Sequence, residues 1–316
     1  MGKYLLHRFI FMLVTIWVVI TLTFFLMKLM PGSPFNEDKL PESVREVMLE
    51  KYGLDKSIPE QYFQYLTNAI QGDFGTSYIT KGREVTTIIF ERIGPSATLG
   101  LQAAAISIPF GVLLGMAAAL RRGKMLDYMS VGFAVIGFAI PNFVVAVLLQ
   151  YIFGGNHALF GLLDKPPLPV ALWGEFKHTI LPTLSLAFGG FAYYTRMMRS
   201  EMLEVLGQDY IKTAKSKGLS KRVVLFRHCL RNALIPIATS LPVFILFALT
   251  GSLVIETIFG IPGIGNELVD SVRDRDYSVT MGLTLFYSML YIVALFLVDI
   301  LYSLIDPRIR VLGGSD

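Results

Sequence analysis

Six apolar stretches of about twenty residues dominate this sequence, at about Phe9–Met27, Ala97–Ala119, Val131–Phe153, Thr179–Thr195, Leu234–Ile255 and Met281–Ser303. A helix of that length rises 1.5 Å per residue and so matches a hydrocarbon core about 30 Å thick. Inside that core the backbone finds no water, and a lone apolar segment satisfies its N–H and C=O groups only as a helix. Composition closes off the soluble alternative: 53% of residues are hydrophobic and 16% charged, where a soluble domain carries roughly 25% charged residues. The reading is an all-α, polytopic membrane protein with six transmembrane helices. The first stretch is too long for a signal-peptide core and has no small-residue cleavage site after it, so it is read as an uncleaved anchor. Pro141 is expected to kink the third. Pro182 and the Gly189–Gly190 pair interrupt the fourth and shortest.

Charge orients the set. Sixteen of the 28 Lys and Arg residues fall in the 70 residues of 1–8, 120–130, 196–233 and 304–316, whereas the 119 residues of 28–96, 154–178 and 256–280 hold twelve. Acidic residues follow the opposite trend, six against seventeen. Positive charge in short loops marks the cytoplasmic side, so both termini are expected in the cytoplasm. The basic balance is therefore a topology signal, and no nucleic-acid partner is implied. The expected layout is an anchor helix over 1–30, an extracytoplasmic cap over 31–96, a five-helix core over 97–303 and a cytoplasmic tail over 304–316. Within the cap, Ser43–Tyr52 and Pro59–Ile70 read as short amphipathic helices lying on the spans, since so short a loop buries little core of its own.

Catalytic chemistry is missing from the sequence. Gly123–Lys124 is followed by Met125, with Ala118 where a phosphate loop needs its first glycine, and there is no nucleophile elbow, paired-histidine helix or dinucleotide fingerprint. His228 and Cys229 adjoin, but a third ligand for a metal is absent nearby, and one cysteine forms no internal disulfide. The chain is expected to be no enzyme and to bind no cofactor or metal. Uphill transport would need a partner's energy or an ion gradient.

Three local features invite function. The cytoplasmic segment 196–236 reads as helix, Gly218, helix; Asp209 near the start of the short helix and the lysines near its end suit the helix dipole. Ala214 and Gly218, four apart, would let another backbone approach, although a solvated basic loop present for topology alone fits too. Glu256 to Gly265 mixes an acid with Gly260, Pro262, Gly263 and Gly265, so helix is not expected to continue through it. It is either a turn lining the transport path, tolerated at membrane depth where protein or water covers it, or an outer loop. Asp299 is the one acid well inside a span, a functional candidate or a structural partner of another charge. Gly111 and Gly115 have the spacing for close helix packing.

The segment from Asp209 to Lys221, with Gly218 and then Pro236 eighteen positions on, resembles the coupling loop of ABC-importer permeases. It departs from the general pattern at Lys212, where a glutamate is usual, and at Thr213, where an alanine is usual, as peptide-type permeases do. Further resemblances run in order along the chain. They are Phe24-Phe25-Leu26 with Met30-Pro31-Gly32-Ser33-Pro34; Gly72-Asp73-Phe74-Gly75-Thr76-Ser77; Val85 with the run from Arg92 to Leu99; Glu256 to Gly265; and Leu304-Ile305-Asp306-Pro307-Arg308. The chain is similar to the B-type permease of oligopeptide and dipeptide ABC importers.

That resemblance implies a permease subunit of an ATP-driven, binding-protein-dependent importer in a bacterial or archaeal cell membrane, oligopeptides first among substrates. Dipeptides, nickel or metal–chelator complexes and glutathione are the family's alternatives, and a gradient-driven secondary transporter is the reading from outside it. It implies a second, homologous permease subunit, two cytoplasmic ATPase subunits holding ATP and Mg, and an extracytoplasmic substrate-binding protein. It places Ala214, Gly218 and Leu219 of a cytoplasmic coupling helix at the ATPase contact, with Asp209 and Lys217 nearby, and favours Glu256, Gly260, Pro262, Gly263 and Gly265 as gate or pathway residues.

Overall fold

The computed structural model of the protein describes residues 2–29, 42–80, 82–154 and 168–305. Their regular secondary structure is helical, joined by turns and irregular segments, apart from one isolated antiparallel bridge between Thr76 and Glu84. The chain divides into two compact units, one formed by Met1–Pro95 with Pro262–Asp316 and the other by Ser96–Ile261.

In the first unit, helix α1 (Gly2–Leu29) packs along α13 (Tyr277–Ile305), with Phe9 edge-on to Phe296 at 6.3 Å between ring centres. Helices α2 (Glu42–Lys51) and α3 (Ile58–Ile70) occupy the expected cap positions. A capping box starts α3, the Ser57 N–H donating to Glu60 Oε2 at 3.1 Å, which satisfies a donor that a helix start leaves free. Ile20, Ala69 and Leu285 draw α1, α3 and α13 into one buried cluster.

Helix α4 (Val85–Leu120) begins twelve residues before the predicted span at Ala97 and runs straight through Gly94 and Pro95. The cause is tertiary. Val85, Ile88 and Ile89, spaced three and four apart on one face, are buried against Ile264, Val279 and Leu283, and that burial outweighs the local breaking tendency of Gly-Pro. At 36 residues α4 is about 54 Å long, well beyond a hydrocarbon core of about 30 Å. Helix α12 (Ile264–Arg273) completes this unit, with Arg92 Nε paired to Glu267 Oε2 at 2.9 Å.

In the second unit, α5 (Met125–Ala139) and α6 (Asn142–Leu149) carry the third predicted stretch, but the chain turns 99° between them at Ile140–Pro141. Proline supplies no N–H and restricts the residue before it to extended backbone, and Ile140 is indeed extended. Helix α7 (Phe176–Gly207) is the spine of the unit. Gly111 and Gly115 of α4 lie directly on it: a methyl group at Gly111 would sit 2.6 Å from Tyr194 Cβ, and one at Gly115 would collide with the Thr195 carbonyl. Beyond α7 come α8 (Asp209–Ser216), the short α9 (Lys221–Val223), a π-helical stretch over Val224–Leu230, and α10 (Arg231–Leu249).

The fifth stretch, expected to stay helical to Ile255, breaks at Thr250–Ser252. Gly251 takes a left-handed backbone (φ +71°), and Ser252 caps a new helix, α11 (Leu253–Phe259). Glu256 is therefore helical, and the non-helical backbone expected from Glu256 onward is confined to Gly260–Gly263. Among the described residues, Leu6–Leu29, Val85–Leu120 and Tyr277–Leu297 are each long and apolar enough to cross a membrane, and the bent α5–α6 pair is a fourth candidate if it counts as one span. The other two predicted stretches lie in α7 and α10. Asp299 falls in α13; its side chain lies outside the described residues, as do Met30–Pro34 and Asp306–Arg308.

Candidate functional site

Helix α8 is a short amphipathic helix whose apolar pair faces inward. Ile211 and Ala214, three apart, are both buried. They enter a cluster with Met198, Met202 and Val205 of α7, Val224 and Cys229 of the π-helical stretch, and Ala233 and Ile237 of α10. The segment is thus cemented to the rest of its unit by the same side chains that make it helical. Asp209 opens the helix and Lys215 lies in its last turn, charges that complement the helix dipole. Lys212 Nζ reaches Asp209 Oδ1 at 2.8 Å on the exposed side, a surface pair that contributes little to stability.

Gly218 ends the unit of structure. Its left-handed backbone (φ +77°) closes the helix, with the Gly218 N–H donating to the Lys215 carbonyl at 3.0 Å and the Leu219 N–H to that of Ala214 at 3.3 Å. Ser220 then caps α9, its Oγ accepting from the Val223 N–H at 3.4 Å. Asp209, Lys217, Gly218 and Leu219 all lie on the exposed side, joined there by Tyr210, Val223 and Phe226. Tyr210 is steadied by Asn232, whose Nδ2 donates to its hydroxyl at 2.8 Å. The result is an outward face of apolar side chains set among Lys212, Lys215, Lys217, Lys221 and Arg222. Ala214 is not on it. Expected beside Gly218 on a contact face, it turns inward because the two residues share no helical turn: Gly218 lies beyond the helix end.

Two buried carboxylates hold this unit together. Asp127, in the first turn of α5, accepts from Arg199 of α7 twice, Nε to Oδ1 at 2.5 Å and Nη2 to Oδ2 at 3.0 Å, and from the Gly123 N–H at 3.0 Å. Sequence reading passed over this pair, although Asp127 is the single acid in an otherwise basic loop. Glu256, almost fully buried, accepts from Ser96 Oγ at 2.7 Å and from the Ser252 N–H at 3.2 Å. A side chain at Gly251 would run into Glu256 Oε1 and Ser96 Oγ, so that glycine is required for its conformation and for its lack of a Cβ. Gly260, also left-handed, is exposed and ends α11, with the Ile261 N–H returning to the Glu256 carbonyl at 2.8 Å. In the other unit Pro262 is half-buried, while Gly263 and Gly265 are buried at the start of α12.

The first unit has its own concave feature, a cavity of about 470 Å³ lined by Lys28, Tyr52, Tyr65, Asn68, Asp73 and Tyr78 among others. In the same unit Ser77 Oγ, from the Gly72–Ser77 run, donates to Asp276, and the Tyr78 N–H donates to the same carboxylate at 3.2 Å.

Comparison with known proteins adds an independent line. Residues 111–311 match the family described as binding-protein-dependent transport system inner membrane component, and residues 1–99 match the corresponding N-terminal family. The dipeptide transport system permease protein DppB of Bacillus subtilis is 47% identical over 312 residues, 98% of each chain. The protein of the same name from Lactococcus lactis is 41% identical over 310 residues, 98% of this chain and all of that one. The oligopeptide transport system permease protein OppB of Salmonella typhimurium is 39% identical over 313 residues, again 98% of this chain and all of the relative.

Proposed function

This chain belongs to the family of binding-protein-dependent transport system inner membrane components, and on that premise we propose that it is the membrane-embedded permease subunit of an ATP-driven peptide importer. Relatives named for dipeptide and oligopeptide transport align with it from end to end, which supports peptides over nickel complexes or glutathione. Those named for dipeptides share the higher identities, 47% and 41% against 39%, so short peptides are the first substrates to test.

Six crossings with both termini in the cytoplasm fit the Lys and Arg distribution. In that arrangement α8 and its basic, apolar-studded outer face lie on the cytoplasmic side, available to an ATPase subunit. One chain then forms half of the path, a second permease subunit the other half, and an extracytoplasmic binding protein delivers substrate. ATP and Mg belong to the two ATPase subunits.

The observation that carries this reading is the division of α8 into two faces. Its inner face, Ile211 and Ala214, is packed into the α7–α10 cluster, so a displacement of α8 cannot be absorbed locally and must move α7. Its outer face, Asp209, Lys217, Gly218 and Leu219, is free to be pushed. Arg199 joins α7 to α5 through Asp127, and Gly111 and Gly115 join α7 to α4, which extends that motion through the unit. Glu256, held by Ser96, and Gly260 are this unit's gate candidates; Pro262, Gly263 and Gly265 are those of the other unit.

The deciding experiment is co-purification from mild detergent followed by reconstitution. A second permease and two ATPase subunits retained with the tagged chain, and peptide uptake that requires ATP, are the expected result. Gradient-driven transport by the chain alone, without ATP, would overturn the reading.

A further inference from the structure

A pocket of about 300 Å³ lies between α5 and α7, on a different side of α7 from the residues that pack α8. Its walls include Ser130, Ala134 and Val135 of α5 and Thr195, Arg196 and Arg199 of α7. The apolar stretch of α7 ends at Thr195 and that of α5 starts at Val131, so the pocket sits where both helices leave the hydrocarbon, on the side the charge distribution marks as cytoplasmic.

Its two guanidinium groups keep N–H donors for an acceptor. Arg196 is exposed, its guanidinium 5.6 Å from the centre of the Phe138 ring, and no carboxylate pairs with it among the described residues. Arg199 commits Nε and Nη2 to Asp127, leaving Nη1 uncommitted to that carboxylate. Thr195, wholly buried, forms the floor between them. Beside these donors α5 presents an exposed apolar face, with Val131, Val135 and Phe138 outward.

A guanidinium at the membrane interface, next to an apolar helix face, is the chemistry that meets a lipid phosphate with its acyl chains. We propose that this pocket binds the phosphate headgroup of an anionic phospholipid, with Arg196 as its cation, the uncommitted Nη1 of Arg199 beside it and the Val131–Phe138 face of α5 against its chains. This rests on the membrane placement of the chain and is independent of substrate, direction and ATPase partners.

Native mass spectrometry of the full-length chain tests it, with phosphatidylglycerol, phosphatidylcholine or inorganic phosphate added in neutral detergent. Phosphatidylglycerol is expected to stay bound, with phosphatidylcholine retained about fivefold less and inorganic phosphate not retained. Arg196→Gln should lower the phosphatidylglycerol adduct about fivefold while Arg196→Lys keeps most of it. Val135→Trp, which fills the pocket and leaves the charge intact, should lower it too; size-exclusion profiles show that each variant is folded. Equal retention in wild type, Arg196→Gln and Val135→Trp, or equal retention of phosphatidylcholine, would overturn the proposal. Inorganic phosphate held as well as the lipid would overturn the lipid assignment.

Discussion

Arg199 grips Asp127 through two hydrogen bonds across 72 positions of sequence, and only the arginine end of the pair reaches solvent. A half-exposed charge pair is worth little, but a buried carboxylate stripped of its arginine is left uncompensated. Arg199→Ala is therefore expected to cost about 3 kcal/mol, Asp127→Ala less, since the arginine it leaves still reaches solvent, and Arg199→Lys a good part of the first, because an ammonium cannot reproduce the two-pronged contact. Thermal unfolding of the detergent-solubilised chain, followed by size exclusion, measures it. Unchanged midpoints would show that α5 and α7 do not depend on the pair.

The outer face of α8 should be separable from its stability. At Gly218 a Cβ would meet nothing within 4 Å, so only the left-handed backbone resists substitution, at about 1 kcal/mol. Gly218→Asn should be tolerated, since asparagine accepts this conformation. Gly218→Glu and Leu219→Asp should leave insertion and yield near wild type and abolish ATP-dependent uptake. Normal uptake by either would remove α8 from the coupling role.

The inner face should behave in the opposite way. Ala214 is buried in the cluster beneath α8, and Ala214→Leu is expected to destabilise by about 1–3 kcal/mol through overpacking, with loss of yield as well as of uptake. A well-folded but uncoupled Ala214→Leu protein would place this residue at a partner contact after all.

Cys229 is fully buried in the cluster beneath α8, and burial pushes its thiol above the ordinary value. Only the thiolate reacts quickly. Maleimide labelling of native membranes at neutral pH should be at least about tenfold slower than in SDS, from either face. Rapid labelling in the native state would mean that α8 lifts off its cluster spontaneously.

The apolar stretches announced the long helices because hydrocarbon admits so few backbone solutions, and the two short helices of 31–96 followed from their amphipathic patterning. What the sequence hid were outcomes of long-range packing. Val85, Ile88 and Ile89 extend α4 through Gly94–Pro95 because their partners, Ile264, Val279 and Leu283, lie far along the chain. Ala214 and Gly218 look alike at four-residue spacing until the helix ends between them. Asp127 and Ser96 gain meaning only from Arg199 and Glu256, which spacing alone does not bring together. The glycines at 111 and 115 were legible because their role depends on one neighbour and on size.

The interruption at Thr250–Ser252 has a consequence for the barrier itself. Two helix ends meet there within a stretch otherwise apolar enough to be hidden from water, and each end leaves backbone groups its own helix cannot satisfy. Ser252 and Glu256 answer some of them; lipid answers none. The fifth apolar stretch therefore carries, at Thr250–Ser252, a permanently polar seam that side chains of its own unit, and not lipid, must keep satisfied.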